Sequence, residues 1–117
     1  PHHVRARELF TIWQRQGDQR LISVVNLTEA LIAPAANRDR LRLARRAVAA
    51  LGVAIHQPGP RAAVDAARLR GRHTISIADA YCLATGRLLD AGIVSFDRKL
   101  IRAARTESIS VAPGAMA

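Results

Sequence analysis

The chain has 117 residues, half of them apolar, and 18 Lys and Arg against nine Asp and Glu give a formal net charge of +9. This length and apolar content predict one ordered domain over residues 1–117 and exclude wholesale disorder. No apolar run approaches the roughly 18 residues that span a bilayer, so we expect a soluble, cytoplasmic protein without membrane contact. The single Cys82 excludes an intrachain disulfide. The positive charge favours a polyanionic partner such as nucleic acid.

Hydrophobic periodicity and turn residues predict helices and strands that alternate along the chain. Asn26 is the expected N-cap of a helix that ends near Pro34, and Ser76 is the expected N-cap of a later one. Gly52 and Gly71 are the expected ends of two other helices. Predicted helices cover residues 4–16, 26–33, 38–51, 61–70, 76–88 and 97–104, predicted strands cover 20–25, 53–56, 93–96 and 108–111, and a tail covers 112–117.

Strands that alternate with helices predict an α/β fold, with a mainly parallel sheet flanked by helices in three layers. In such sheets the working site lies at the carboxyl ends of the strands. Glu29 and Asp97 each follow a predicted strand, and Asp79 opens the helix that leads into the strand before Asp97. We therefore expect all three acids to converge on one edge of the sheet.

Clustered carboxylates suit a hard divalent cation such as Mg²⁺ or Mn²⁺. A metal ion held in this way neutralises a phosphate and generates hydroxide, which is the chemistry of a nuclease. Each acid also has a structural alternative. Asp79 favours the positive end of a helix, Asp97 suits an N-cap, and Glu29 suits an ion pair on a solvated face.

Three segments carry a family resemblance through their order and spacing. They are SVVNLTEAL at residues 23–31, SIADAYCLA at 76–84 and GIVSFDRKL at 92–100. Together they resemble PIN-domain ribonucleases, particularly the VapC toxins of bacterial toxin–antitoxin pairs, over nearly the whole chain. The resemblance implies that Glu29, Asp79 and Asp97 are the catalytic, metal-binding residues. It also places Ser95 at the hydroxyl position found two residues before the last Asp.

The resemblance further implies Mg²⁺ or Mn²⁺ as cofactor, endonucleolytic cleavage of RNA, a homodimer and inhibition by an antitoxin protein. The family's sheet has five parallel strands, and its first, central strand ends in a further metal-binding Asp. Nothing in this sequence matches that strand. We therefore expect an N-terminally truncated PIN-like domain that, as it stands, binds metal poorly and can be inactive.

Basic residues near these acids are the candidate substrate contacts. Arg98 and Lys99 directly follow Asp97 and suit either phosphate contact or a solvated helix face. Arg87 lies two turns after Asp79 on the same predicted helical face and suits RNA or an acidic partner. The arginines between Arg38 and Arg46 fit a plain solvated surface. No His or Cys residues occur at zinc-ligand spacing.

The sequence thus predicts a metal-dependent endoribonuclease toxin. The alternative is a catalytically incompetent PIN-like module that only binds antitoxin or RNA, and metal-dependent cleavage separates the two. A receiver-like or nucleotide-binding domain is disfavoured because the chain has neither a Gly-rich phosphate loop nor an acidic cluster after its first predicted strand.

Overall fold

The computed structural model describes residues 21–95 and 97–112, so the helix predicted over residues 4–16 lies outside the described residues. No helix in the described ranges is long and apolar enough to cross a membrane. The elements in chain order are strand β1 (Leu21–Ser23), helix α1 (Val24–Ile32), a 3-10 turn (Pro34–Ala36), α2 (Arg38–Ala50), β2 (Ala54–His56), α3 (Pro60–Arg72), α4 (Ile77–Leu89) and α5 (Arg98–Thr106).

The strands pair in parallel, as predicted for an α/β fold. β1 lies beside β2 with Ser23 opposite His56 at their carboxyl ends. In the described part of the strands predicted over residues 93–96 and 108–111, one parallel bridge joins Ile93 and Val111. The backbone N–H of Ile93 donates to the Ser110 carbonyl at 2.9 Å. Short apolar segments therefore pair in parallel, but over fewer residues than their composition indicated.

The start of α1 differs from the prediction. Ser23, not Asn26, is the N-cap, and its hydroxyl accepts the backbone N–H of Val25 at 3.1 Å. Val24 and Val25 are therefore helical, although their β-branched side chains favoured the strand predicted over residues 20–25. A serine at the end of the strand satisfies an N–H group that the helix leaves unpaired, so the helix begins directly after β1.

Most other helix ends lie where capping residues predicted them. Ser76 caps α4 by accepting the backbone N–H of Asp79 at 3.0 Å. Gly52, with a φ of 67°, lies in the turn after α2. Gly71 does not end α3, which continues to Arg72. The expectation at Gly71 was wrong because a single glycine in a helix costs only about 1 kcal/mol, which its neighbours offset.

The core lies between α3, α4 and α5 and is aliphatic. Leu69 and Leu83 are its largest fully buried side chains, and small alanines let the helices approach closely. The prediction of a tail from residue 112 is wrong at its first residue. Ala112 is 3% exposed, and its N–H donates to the Ile93 carbonyl at 2.8 Å. By contrast, no residue of α1 or α2 is fully buried.

Candidate functional site

Two of the predicted acids lie on a pair of helices that are tied together. The side-chain amide of Asn26 in α1 donates to the backbone carbonyl of Ala78 in α4 at 2.8 Å. Glu29 is one helical turn beyond Asn26, on the same side of α1, and Asp79 directly follows Ala78. This single hydrogen bond therefore fixes the helix that carries Glu29 against the start of the helix that carries Asp79.

The half-buried thiol of Cys82 lies one helical turn after Asp79 in α4. Its pKa is raised to about 11, first by burial and then by the negative charges of Asp79 and Glu29. A thiol with this pKa stays protonated near neutral pH and is a poor nucleophile. Cys82 thus acts as a small, partly buried residue that packs against the core.

Asp97 lies at the start of α5, where it is the N-cap. Its Oδ1 accepts the backbone N–H groups of Lys99 at 2.8 Å and Leu100 at 3.4 Å. The Ser95 hydroxyl accepts the backbone N–H of Asp97 at 3.0 Å, so Ser95 fixes the turn that presents this carboxylate. The structural alternative for Asp97 is therefore confirmed, and its metal-binding role stays a prediction.

The donor chemistry of the acids fits a hard cation in part. Glu29 and Asp79 supply carboxylate oxygens, the ligands that Mg²⁺ and Mn²⁺ prefer. Within residues 21–95 and 97–112, no three His, Cys, Asp or Glu side chains are grouped closely enough to hold a metal ion. The described structure thus ties the helix of Glu29 to the start of the helix of Asp79, and the metal-binding role of these acids stays a prediction.

Arg98 and Lys99 are exposed in the first turn of α5. Cations at this position oppose the helix dipole, which favours negative charge at a helix N-terminus. Helix stability therefore does not account for them, although the carboxylate of Asp97 offsets part of the cost. Their role as phosphate contacts stays a prediction.

Arg87 is engaged elsewhere. Its guanidinium donates to both carboxylate oxygens of Asp65 in α3, at 3.0 and 3.1 Å, and to Glu107 at 3.2 Å. These contacts within the chain do not support the predicted contact of Arg87 with substrate. The residues they join are 20 and 22 positions apart in sequence, so helical spacing alone gave no signal for them.

Glu107 is the centre of this second cluster, which we call the Glu107 clasp: Asp65, Arg72, His73, Arg87 and Glu107. The Arg72 guanidinium donates to both carboxylate oxygens of Glu107, at 2.8 and 2.9 Å. The Nε2 atom of His73 lies 2.7 Å from the same carboxylate. Hydrogen bonds from Arg72, then His73 and Arg87, lower the pKa of Glu107 to about 2 although burial opposes them. Sequence reasoning missed this cluster.

The sequence comparisons give one match. A family model described as PIN domain matches residues 1–106, a span that includes Glu29, Asp79 and Asp97. PIN domains are generally nucleases that use divalent metal ions. No curated protein and no solved structure matches the chain significantly.

Proposed function

This chain belongs to the PIN domain family, and from that premise we propose that it is a Mg²⁺- or Mn²⁺-dependent endoribonuclease of the VapC type. The proposal names RNA as the substrate and hydrolysis of its phosphodiester bonds as the reaction. It is supported by the three motif segments, by the net charge of +9 and by the paired positions of Glu29 and Asp79.

The observation that carries the proposal is the coupling of α1 to α4. The Asn26 side chain in α1 donates to the Ala78 carbonyl at the start of α4, so the helix of Glu29 is tied beside Asp79. Carboxylates on two helices that are tied together in this way can supply oxygen ligands to one hard cation.

In the proposed mechanism, Glu29, Asp79 and Asp97 would hold the metal, which would supply an activated water and neutralise phosphate charge. Ser95 positions the turn that carries Asp97. Arg98 and Lys99 bind the RNA backbone beside this turn through charge rather than base identity. The described residues do the binding and positioning, and no His, Ser or Cys is needed as a nucleophile.

The test is the substitution Asp79→Asn in the full encoded chain. We expect cleavage of RNA with Mg²⁺ or Mn²⁺ to fall by at least about 100-fold, because the amide removes a charged metal ligand. The fold should stand, since Ser76 caps α4 through the backbone of Asp79 rather than through its carboxylate. Cleavage is followed on labelled RNA, and circular dichroism checks the fold.

The matched control is Asp39→Asn, which makes the same change in the first turn of α2. It should cleave RNA at nearly the wild-type rate, and EDTA should abolish cleavage by both proteins. Undiminished cleavage by Asp79→Asn would remove Asp79 from the mechanism. If the wild type binds RNA but shows no metal-dependent cleavage, the chain is instead the binding module named as the alternative.

The proposal extends to partners, in keeping with the VapC resemblance. We propose a homodimer in the cytoplasm and an antitoxin whose acidic groups block the carboxylate pocket. The excess positive charge of the chain supports an acidic partner. Light scattering of the purified chain, alone and with a candidate antitoxin, tests both points, and a monomeric mass in each sample would count against them.

A further inference from the structure

Helix α2 carries a row of arginines along one side. Four of them occupy positions i, i+4, i+7 and i+8, which fall within about 100° of arc on an α-helix. All four are exposed, and with Leu41 and Ala49 they line a shallow groove along the helix. We call these residues the α2 arginine stripe: Arg38, Arg42, Arg45 and Arg46.

Among the described residues, no acid forms an ion pair with the stripe. Asp39 is the one carboxylate on α2, against five arginines. None of the stripe residues makes an ion pair with any other residue of the described ranges. Arg72 and Arg87 differ, since each is held by carboxylates of the Glu107 clasp. The stripe thus presents four guanidinium groups over about 12 Å of helix.

We propose that the α2 arginine stripe binds the phosphate backbone of the RNA strand and extends the substrate surface beyond the carboxylate site. The identity of the nucleic acid as RNA rests on the proposed function. Guanidinium groups bind phosphate with paired hydrogen bonds, so a row of them suits a chain of phosphates. This differs from the plain solvated surface that the sequence predicted for these arginines.

Position and chemistry favour RNA over an acidic protein. α2 packs on the 3-10 turn that directly follows α1, the helix of Glu29, so the stripe and Glu29 lie on consecutive packed elements. Protein interfaces centre on large apolar or aromatic anchors, and the groove has only Leu41 and Ala49 as apolar lining. Phosphate contacts need no such anchor.

The experiment measures binding of labelled single-stranded RNA by fluorescence anisotropy in EDTA, where cleavage does not interfere, over a range of salt concentrations. The stripe variant is Arg38→Gln/Arg42→Gln/Arg45→Gln in the full encoded chain. Each phosphate contact to a single strand contributes a slope of about −0.7 to log K against log salt, so the variant's slope should be shallower by about 2. Its affinity in low salt should fall about tenfold or more.

A matched control removes the same charge from exposed arginines off the stripe, as Arg40→Gln/Arg61→Gln/Arg70→Gln. It should weaken binding by less than about threefold, because it changes only the general field of the protein. A third variant, with lysine at Arg38, Arg42 and Arg45, should recover most of the salt dependence because it keeps the charge.

Equal losses in the stripe and control variants would show that only net charge matters and would overturn the proposal. The proposal would also be overturned if the stripe variant bound RNA as the wild type does but no longer bound polyglutamate. That result would indicate an acidic protein partner. Unfolding of the glutamine stripe variant would show that the arginines are structural, and would also overturn it. Because binding is measured without metal, failure of the stripe is distinguished from failure of the Asp79→Asn cleavage test.

Discussion

At the scale of single residues, the candidate site depends on side chains that bind backbone groups. Asn26 joins α1 to α4, Ser23 starts α1, and Ser95 and Asp97 order the turn before α5. Such contacts fix where a carboxylate lies without touching a substrate. Asn26 is the most informative of them because it is the one of these whose hydrogen bond spans 52 residues.

We predict that Asn26→Ala lowers metal-dependent RNA cleavage by about tenfold or more, because small displacements of catalytic groups are costly. The loss of one hydrogen bond should also lower the free energy of unfolding by about 1 kcal/mol. Initial cleavage rates over a titration of Mg²⁺, together with urea unfolding, measure the two effects.

Asn37→Ala is the control for this substitution, since the Asn37 side chain caps α2 by accepting the N–H groups of Asp39 and Arg40. Loss of this cap should lower the free energy of unfolding by a similar amount, about 1 kcal/mol, and leave RNA cleavage nearly unchanged. Equal cleavage by the two variants would mean that Asn26 contributes stability and no positioning.

At the scale of elements, α4 is the helix that connects α1 and α3. It packs against α3 along an alanine-rich face, joins α1 through Ala78, and buries Gly86 against the bridge region. A Cβ atom at Gly86 would lie 2.8 Å from Cγ2 of Ile93 and 3.3 Å from the carbonyl oxygen of Ala91. Glycine at this position therefore lets the segment after α4, which includes Ala91 and Ile93, pack closely against the helix.

We predict that Gly86→Ala lowers the free energy of unfolding by about 1 to 2 kcal/mol. The helix itself would gain about 1 kcal/mol from alanine, but the β-branched side chain of Ile93 and a backbone carbonyl must shift. The midpoint of urea unfolding measures the net effect.

Gly71→Ala is the matched control, because Gly71 lies in α3 with no atom within 4 Å of the added Cβ. It should be neutral or stabilise the protein by up to about 1 kcal/mol. A Gly86→Ala protein as stable as the Gly71→Ala protein would show that the contact at Ile93 relaxes without cost.

At the scale of the whole molecule, the Glu107 clasp is a set of ion pairs that connects the helices of the core. It joins the end of α3, the last turn of α4 and the residue after α5 through one carboxylate that is 11% exposed. The residues are 20 to 35 positions apart, so the clasp stabilises the tertiary arrangement rather than any one helix.

We predict that stability falls as the pH is lowered from about 4.5 to about 2 and that Glu107→Gln reduces this fall. The pKa of Glu107 drops from its ordinary 4.5 to about 2 on folding, so the carboxylate stabilises the fold above the higher value. That stabilising contribution is lost as the pH falls towards about 2 and Glu107 becomes protonated in the folded protein. The midpoints of urea unfolding at pH 6 and pH 3, for the wild type and for Glu107→Gln, measure this dependence of stability on pH.

The variant Asp39→Asn is the comparison here, since Asp39 is exposed and makes no ion pair with the described residues. It should keep the wild-type difference between the two pH values. A Glu107→Gln protein with the same pH dependence as the wild type would show that the clasp does not stabilise the fold.

The sequence by itself determined the alternation of helices and strands, most helix ends, and the three motifs that identify a PIN domain. These features depend on local periodicity, capping residues and spacing, all of which are properties of neighbouring residues. Only the tertiary structure decided that Asn26 bonds to α4 instead of capping α1, that Arg87 pairs with Asp65, and that Ala112 is buried. Each of these depends on which distant segment packs alongside, and a polar side chain or a short apolar segment can satisfy several partners until packing selects one.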